Sequence, residues 1–201
     1  MLSVTQLTCQ RGERVLFEGL NFELPEAQWL HVCGANGCGK TSLLRILTGL
    51  AEPVSGTISW NGAAIGEERE VFHEDLLYLG HQGALKEELT PLENLTLSLG
   101  MEGYTRGPKD VAEALHQFGL RGREHLPVRF LSAGQRRRVL LTRLLLRPAR
   151  LWILDEPFTA LDVHAVAFLT EKISAHLETQ GTVVLTSHQP LTLAQGQAIT
   201  L

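Results

Sequence analysis

The glycine-rich run from Gly34 to Thr41 constrains this chain more than any other feature. It reads Gly-Ala-Asn-Gly-Cys-Gly-Lys-Thr and fits the phosphate-loop pattern G-x-x-x-x-G-K-[ST]. The apolar run 29–33 before it is typical of a buried strand, and segment 42–48 after it is typical of a helix that ends at Gly49. Because the pattern is informative only between a strand and a helix, this context predicts a nucleotide-binding loop and not an ordinary glycine turn.

The residue types in this loop suit the binding of phosphate groups. Glycines let the backbone fold tightly with its N–H groups directed inward, and the N-terminus of the following helix adds partial positive charge. The pattern places Lys40 at the β- and γ-phosphates and the Thr41 hydroxyl on Mg²⁺. We therefore expect a nucleotide to be bound by the whole loop and the residue after it, namely Gly34, Ala35, Asn36, Gly37, Cys38, Gly39, Lys40, Thr41 and Ser42.

One residue inside the loop is a cysteine. His31, Cys33 and Cys38 together suggest a metal site, but their spacing does not match a zinc pattern, and the loop is already assigned to phosphate. We expect Cys38 to be a reactive thiol instead, because a helix N-terminus favours the thiolate form.

Length and composition indicate one ordinary globular domain, or one core with an inserted subdomain. The chain has 201 residues, of which 44% are hydrophobic and 20% charged. Its net charge of −4 gives no reason to expect nucleic acid as a partner. No stretch approaches the twenty or so apolar residues of a membrane span, the N-terminus lacks the pattern of a signal peptide, and three cysteines make no disulfide framework. We therefore expect a cytoplasmic location.

The order of apolar runs and turns predicts an α/β fold with a few antiparallel strands beside a parallel core. Residues 1–83 and 148–201 read as the core, and residues 84–147 as a helical insertion. Strands are predicted at about 2–10, 15–24, 29–33, 57–60, 76–79, 151–154, 182–186 and 198–201. Helices are predicted at about 42–48, 67–75, from Pro91, 108–118, 133–146 and 163–179, with another short helix before the final strand.

Two further stretches carry chemistry. Asp155 follows an apolar strand, where a carboxylate beside the phosphate loop can hold Mg²⁺. The next residue, Glu156, can polarise a water molecule for attack on the γ-phosphate. In the insertion, Ser132 and Gln135 fit a capping box, which predicts that a helix begins there and presents its N-terminus to an anion.

Six short motifs, in this order, resemble those of the ATP-binding cassette ATPases, and the resemblance covers nearly the whole chain. They are a Walker A loop at 34–41, a Q-loop glutamine at Gln82, a signature reading LSAGQ at 131–135, a Walker B strand with its glutamate at 151–156, a D-loop at 160–162 and a switch histidine at His188. The resemblance implies a P-loop NTPase fold, in which a single nucleotide-binding domain with a mixed-sheet core carries a helical signature subdomain.

The resemblance also implies a role for each motif residue. Glu156, His188, Gln82 and Lys40 would be catalytic, and Mg²⁺ would be held by Thr41, Asp155 and Gln82. The signature would act in trans, on ATP held by a second copy of the chain, with Asp162 at the same interface. The signature residues are Leu131, Ser132, Ala133, Gly134 and Gln135.

One position departs from the family pattern. Members usually carry an aromatic residue near the N-terminus that stacks on adenine, and Arg11 stands at the equivalent place here. A guanidinium group can also stack on a base, so Arg11 is expected to contact the nucleotide. The expectation of adenine selectivity is correspondingly weaker than that of phosphate binding.

The local sequence around the motifs resembles that of the branch of the family that serves c-type cytochrome biogenesis in bacteria. That resemblance rests on 80–82, 88–95, the run LSAGQRRRVLLTRLLL from Leu131, LWILDEPFTALD from Leu151, and 186–191. It implies integral membrane subunits of a cytochrome c maturation complex as partners, at the cytoplasmic face of the inner membrane. ATP hydrolysis would drive haem export or the release of a haem-loaded periplasmic chaperone.

Two alternatives remain open on the sequence. The same catalytic residues would serve a transporter ATPase for a different substrate, in which only the partner-docking insertion would differ. A soluble cassette ATPase that acts on ribosomes or in DNA repair is the other alternative. Such proteins usually carry two cassettes in tandem or a long coiled-coil insert, and this chain has neither.

Overall fold

The computed structural model describes residues 1–80, 85–188, 193 and 196–201. Its strands form two β-sheets. The strands are β1 (Leu2–Arg11), β2 (Arg14–Leu24), β3 (Trp29–Cys33), β4 (Ser55–Trp60), β5 (Ala63–Ala64), β6 (Leu76–Leu79), β7 (Leu151–Leu154), β8 (Thr182–Thr186) and β9 (Gly196–Thr200). The helices are α1 (Lys40–Leu47), α2 (Arg69–Asp75), α3 (Pro91–Met101), α4 (Pro108–Gln117), α5 (Ala133–Leu141), α6 (Arg143–Leu146) and α7 (Val163–Glu178), with a 3₁₀ turn at Val128–Phe130.

The first sheet is antiparallel, in the order β2-β1-β4-β5. Strands β4 and β5 form a hairpin around Asn61 and Gly62, whose φ angles are 52° and 88°. Positive φ at both central residues suits the right-handed twist of the strands, which is why the Asn-Gly pair marks this turn. The two residues of β5 carry too little pattern to have been predicted.

The second sheet is parallel, in the order β6-β7-β8-β3-β9. Every residue of β7 and β8 is buried, as expected for a strand covered on both faces. Because all five strands run the same way, the segments that follow β3, β7 and β8 leave the sheet at one edge. This topology brings the phosphate loop, Asp155, Ser187 and His188 to the same end of the sheet.

The main core forms where α1 packs among the strands. Leu43, Leu44, Ile46 and Leu47 are at most 2% exposed and belong to the same hydrophobic core as buried side chains of β1, β3, β7 and β8. Full burial of a leucine side chain stabilises a fold by roughly 1.5–3 kcal/mol. This packing fixes α1, and with it the end of the phosphate loop, against the sheet.

The chain divides into two compact units. One consists of Met1–His81, Ala149–Glu156 and Lys172–Leu201, and the other of Gln82–Pro148 and Pro157–Glu171. The second unit has a helical core of its own, which includes Leu95, Leu99, Val111, Leu115 and Val139. In its helix α3, which begins at the predicted Pro91, Thr90 and Glu93 form a capping box.

The structure differs from the sequence-based expectation at two places. The helix predicted for 133–146 is broken into α5 and α6 at Thr142, whose hydroxyl donates to the carbonyl oxygen of Arg138. Such a bond to the preceding turn competes with the helical ladder and bends it. Residues 157–171, predicted as part of the core, group with the helical unit because residues 157–162 contact α5.

Some predicted features fall on residues that the structure does not describe, including the Q-loop residue Gln82 and the short helix before the final strand. Within the described ranges, none of the helices combines the length and the apolar character that a membrane crossing requires.

Candidate functional site

The phosphate loop lies between β3 and α1, which confirms the predicted strand and helix around it. Two of its positions require glycine. Gly34 has φ of 140°, and a Cβ atom there would lie 2.5 Å from the sulfur of Cys38. Gly39 has φ of 117°, and a Cβ atom there would approach the Cβ of Leu16 to 3.1 Å. The backbone angle therefore strains any larger side chain at both positions, and the neighbouring atoms would have to shift to make room for it.

Lys40 directs its ammonium group back over the loop. Its Nζ donates to the carbonyl oxygen of Gly34 at 2.7 Å and to that of Ala35 at 3.2 Å. Lys40 is also the first residue of α1, so its cationic group lies beside the positive end of that helix. Positive charge is thus concentrated within the concave side of the loop, where it can bind phosphate oxygens.

Three oxygen-bearing side chains form a chain of hydrogen bonds at the edge of the parallel sheet. Thr41 Oγ1 donates to Asp155 Oδ2 at 2.8 Å, and Thr186 Oγ1 donates to Asp155 Oδ1 at 2.8 Å. Asp155 is 2% exposed. The hydroxyl of Thr41 and the carboxylate of Asp155 are the hard oxygen ligands that Mg²⁺ prefers, so these residues fit the predicted magnesium site.

Glu156 is held in a left-handed backbone conformation, with φ of 49°. That conformation costs a non-glycine residue of order 1 kcal/mol, so it persists only where neighbouring contacts fix it. Here the backbone N–H of Glu156 donates to Thr186 Oγ1 at 2.8 Å. The side chain of Glu156 is 13% exposed, and its Oε1 lies 3.2 Å from Nε2 of His188.

These groups line one open cleft with a volume of about 650 Å³. A cavity of that size falls in the range of small-molecule and cofactor sites. It brings together nine of the residues predicted from the sequence: Arg11, Asn36, Gly37, Gly39, Lys40, Thr41, Ser42, Asp155 and Glu156, with His188 as the tenth. Arg14 and Leu16 complete its lining.

Sequence reasoning missed several of the residues that shape this site. Thr186 contacts both Asp155 and the backbone of Glu156, and its place at the end of a predicted parallel strand was a usable signal. Tyr78 is another: burial, and then the charge of the Asp155 carboxylate, raise the pKa of its phenol.

The signature residues belong to the helical unit. Ser132 Oγ accepts from the backbone N–H of Gln135 at 3.2 Å, and Gln135 Oε1 accepts from the N–H of Ser132 at 3.0 Å. The predicted capping box is therefore confirmed, and α5 begins at Ala133. The side chain of Ser132 is exposed at this helix terminus. The predicted D-loop residue Asp162 lies in the same unit and forms an ion pair with Arg138.

Comparison with known proteins gives a family and a fold. The model of the ABC transporter family matches residues 17–159. The chain is 49% identical over 197 residues to the cytochrome c biogenesis ATP-binding export protein CcmA of Escherichia coli O157:H7, a match that covers 98% of this chain and 93% of that protein.

Solved structures give the same fold at lower identity. A putative ABC transporter ATP-binding protein from Pyrococcus furiosus superposes with a TM-score of 0.85 at 22% identity, covering 100% of this chain and 96% of that one. The ATP-binding cassette MJ0796, in a dimeric post-hydrolysis state bound to ADP and Pi, superposes with a TM-score of 0.82 at 24% identity, covering 94% of this chain and 88% of that one.

Proposed function

Since the chain belongs to the ABC transporter family of ATP-binding cassettes, we propose that it is the ATP-hydrolysing subunit of a membrane export complex for c-type cytochrome biogenesis. The observation that carries the cytochrome role is the identity of 49% over 98% of the chain to the biogenesis protein CcmA. The ATPase chemistry rests separately on the cleft that contains Lys40, Thr41, Asp155 and Glu156.

The residues of the cleft have different roles in ATP hydrolysis. The backbone N–H groups of the loop and the ammonium of Lys40 bind the β- and γ-phosphates and stabilise the charge that develops during transfer. Glu156 orients and polarises the water that attacks the γ-phosphate in line. His188 lies 3.2 Å from that carboxylate, where it can hold it in place and contact the γ-phosphate.

Thr41 and Asp155 are the described residues that would hold Mg²⁺, and Gln82 is a further ligand expected from the sequence. When bound, the ion neutralises charge on the β- and γ-phosphate oxygens. Thr186 keeps the Asp155 carboxylate oriented toward Thr41 through its hydrogen bond to Oδ1.

The signature must come from a second copy of the chain. The chain holds one phosphate loop and one LSAGQ sequence, so a head-to-tail pair would contain two complete sites related by two-fold symmetry. In that pair, the N-terminus of α5, with the Ser132 hydroxyl and the N–H of Gly134, would face the γ-phosphate bound by the partner. The cassette MJ0796, which shares the fold, has been solved as a dimer, and this supports the pairing of two copies.

The same proposal includes the membrane partners. The relative CcmA is named an export protein, and on that likeness the chain would work on integral membrane subunits at the cytoplasmic face of the inner membrane. Closure and reopening of the dimer would move those subunits, and thereby deliver haem or release a haem-loaded periplasmic chaperone.

Substitution of the proposed base tests the ATPase part. Glu156→Gln keeps the shape of the side chain but removes its ability to accept a proton, so it should bind ATP, hydrolyse it at least about a hundredfold more slowly and accumulate dimers. Sedimentation and a phosphate-release assay measure both effects. A variant that stays monomeric with ATP and turns over at the wild-type rate would remove Glu156 from its assigned role.

Deletion of the gene in its host tests the cytochrome part. Haem staining of c-type cytochromes should be lost, restored by the wild-type gene and not restored by the gene carrying Glu156→Gln. Normal haem staining in the deletion strain would instead favour an ABC transporter for a different substrate.

A further inference from the structure

One face of α5 contacts residues 157–162, the segment that contains the D-loop. A Cβ atom at Gly134 would lie 2.5 Å from the carbonyl oxygen of Ala160, so these backbones touch. Nε of Arg137 donates to the carbonyl oxygen of Pro157 at 3.4 Å, and Arg138 pairs with Asp162. Residues three and four apart share one side of a helix. The signature helix therefore contacts residues 157–162, the D-loop segment, along a continuous stripe.

The ion pair at the end of this stripe joins three pieces of the helical unit. Nη2 of Arg138 donates to Oδ2 of Asp162, while Oδ1 of the same carboxylate accepts from the backbone N–H of Ala165 at 2.9 Å. Asp162 thus caps the start of α7 and binds α5 at once. The Arg138 side chain is 19% exposed, whereas that of Asp162 is 56% exposed.

The D-loop segment needs such external support. Ala160 has φ of 62°, a conformation that is unfavourable for a residue with a side chain. The side chains of residues 159 and 160 are exposed, so they do little to anchor the segment to the rest of the unit. Contacts from α5 therefore add to the anchors within the segment, which are the buried side chain of Phe158 and the bond from the N–H of Leu161 to the carbonyl oxygen of Phe158.

We propose that Arg138 is a positioning residue that fixes the D-loop segment to the signature helix, so that both parts of the trans-acting half-site meet the partner's nucleotide as one rigid piece. This inference rests on the ATP-dependent dimer of the proposed function and adds to it a residue outside the six motifs. An unfixed loop would have to be ordered at each dimerisation, which weakens association.

The ion pair between Arg138 and Asp162 should contribute more to dimerisation than to the stability of the fold. An ion pair with a solvent-exposed partner, as Asp162 is here, contributes little to the stability of a fold. In a two-fold dimer, however, it occurs twice, so a roughly threefold loss for each copy multiplies to about tenfold in the dimer dissociation constant. An experiment can therefore compare the effect of a substitution on the dimer dissociation constant with its effect on the melting temperature.

The experiment uses the full chain with Glu156→Gln, which should dimerise with ATP. Three variants are made in this parent: Arg138→Gln, Asp162→Asn and the combination of the two. Asp162→Asn retains the oxygen that caps α7 but loses the charge, so the helix start is preserved. Arg150→Gln, which breaks the pair with Glu26 at 2.9 Å in the other unit, is the matched control.

Each single variant should raise the dimer dissociation constant about tenfold, measured by sedimentation at several protein concentrations. The double variant should be no worse than either single one, because the two residues act as one contact. The affinity of the monomer for ATP and the melting temperature should match those of the parent. Arg138→Lys should recover part of the loss, and Arg150→Gln should behave as the parent does.

Three results would overturn the inference. Unchanged dimerisation of both single variants would show that the ion pair has no positioning role. Additive losses in the double variant would show that Arg138 and Asp162 act independently. A fall in melting temperature and ATP affinity that parallels the loss of dimers would reduce Arg138 to a folding contact. If the Glu156→Gln parent itself fails to dimerise with ATP, the dimer of the proposed function falls too, so the two failures are distinguishable.

Discussion

Nε2 of His188 lies 3.2 Å from Oε1 of Glu156, at the edge of the parallel sheet where Asp155 also emerges. The two side chains differ sharply in exposure, since that of His188 is 61% exposed and that of Glu156 is 13% exposed. An exposed imidazole thus limits the freedom of a nearly buried carboxylate and leaves its own edge open toward the cleft.

His188→Ala should lower kcat for ATP hydrolysis by about a hundredfold, because Glu156 loses the group that orients it. ATP binding should change little, since Lys40 and the loop remain. Single-turnover hydrolysis and equilibrium binding of ATP separate the two quantities. His125→Ala, at an exposed position of the helical unit, is the control. A wild-type kcat for His188→Ala would contradict the role assigned to this contact.

Thr186→Val should damage both stability and catalysis. The hydroxyl of Thr186 donates to Asp155 and accepts from the N–H of Glu156, and valine replaces it at nearly equal volume without either bond. The buried groups left without a partner should cost roughly 1–3 kcal/mol of unfolding free energy, and kcat should fall at least about tenfold.

A matched control lies on the same strand. Thr182 is as fully buried as Thr186, but its hydroxyl has no hydrogen-bond partner among the residues that the structure describes. Thr182→Val should therefore leave the unfolding free energy unchanged or raise it, with normal kcat. Urea denaturation and an ATPase assay compare the two variants, and equal effects of both would contradict the prediction.

Much of the site could be predicted from the sequence because its parts are locally encoded. The loop Gly34 to Thr41 needs its glycines where the backbone turns, and Asp155 follows an apolar strand whose end has to reach the sheet edge. The contact of Thr186 with Asp155 could not be predicted in the same way. It joins residues 31 positions apart, through a strand order that no local pattern specifies.

The pH dependence of stability should include a contribution from His176. Burial lowers the pKa of this side chain to about 4, and its ring stacks on Trp152 with a centroid distance of 3.8 Å. Above pH 6.5 the ring is neutral in both the folded and the unfolded chain. Between pH 6.5 and 4 only the unfolded chain takes up the proton, so the unfolding free energy should fall by about 3 kcal/mol in total.

Urea denaturation across this pH range measures the effect. His176→Phe keeps an aromatic ring beside Trp152 but cannot bind a proton, so its unfolding free energy should lose that part of the slope. Identical slopes for wild type and His176→Phe would show that the buried imidazole does not contribute.

Thiol reagents should inactivate the ATPase through Cys38. Cys38 is partly exposed at the N-terminal end of α1, and its sulfur lies against Gly34, so an adduct would fill the space of the phosphate loop. N-ethylmaleimide should abolish hydrolysis, bound ATP should slow the inactivation, and Cys38→Ser should resist it.

The other two cysteines provide the controls for this prediction. Cys9 is buried, and burial raises the pKa of its thiol, which makes it unreactive. Cys33 is partly exposed, so Cys33→Ser should remain as sensitive as the wild type if Cys38 is the target. Inactivation that persists in Cys38→Ser, or that ATP does not slow, would contradict the prediction.

Arg11 should be the position that limits selectivity for adenine. It lines the cleft with Arg14, at the place where related cassettes usually present an aromatic ring. Arg11→Tyr adds a flat ring for the base to stack on, which should tighten ATP binding about threefold to tenfold and increase the preference for ATP over GTP. Arg11→Leu removes the same charge without adding a ring, so it separates stacking from electrostatics. If Arg11 acts mainly by attracting phosphate, both variants should weaken the binding of ATP and GTP equally, which would contradict the stacking assignment.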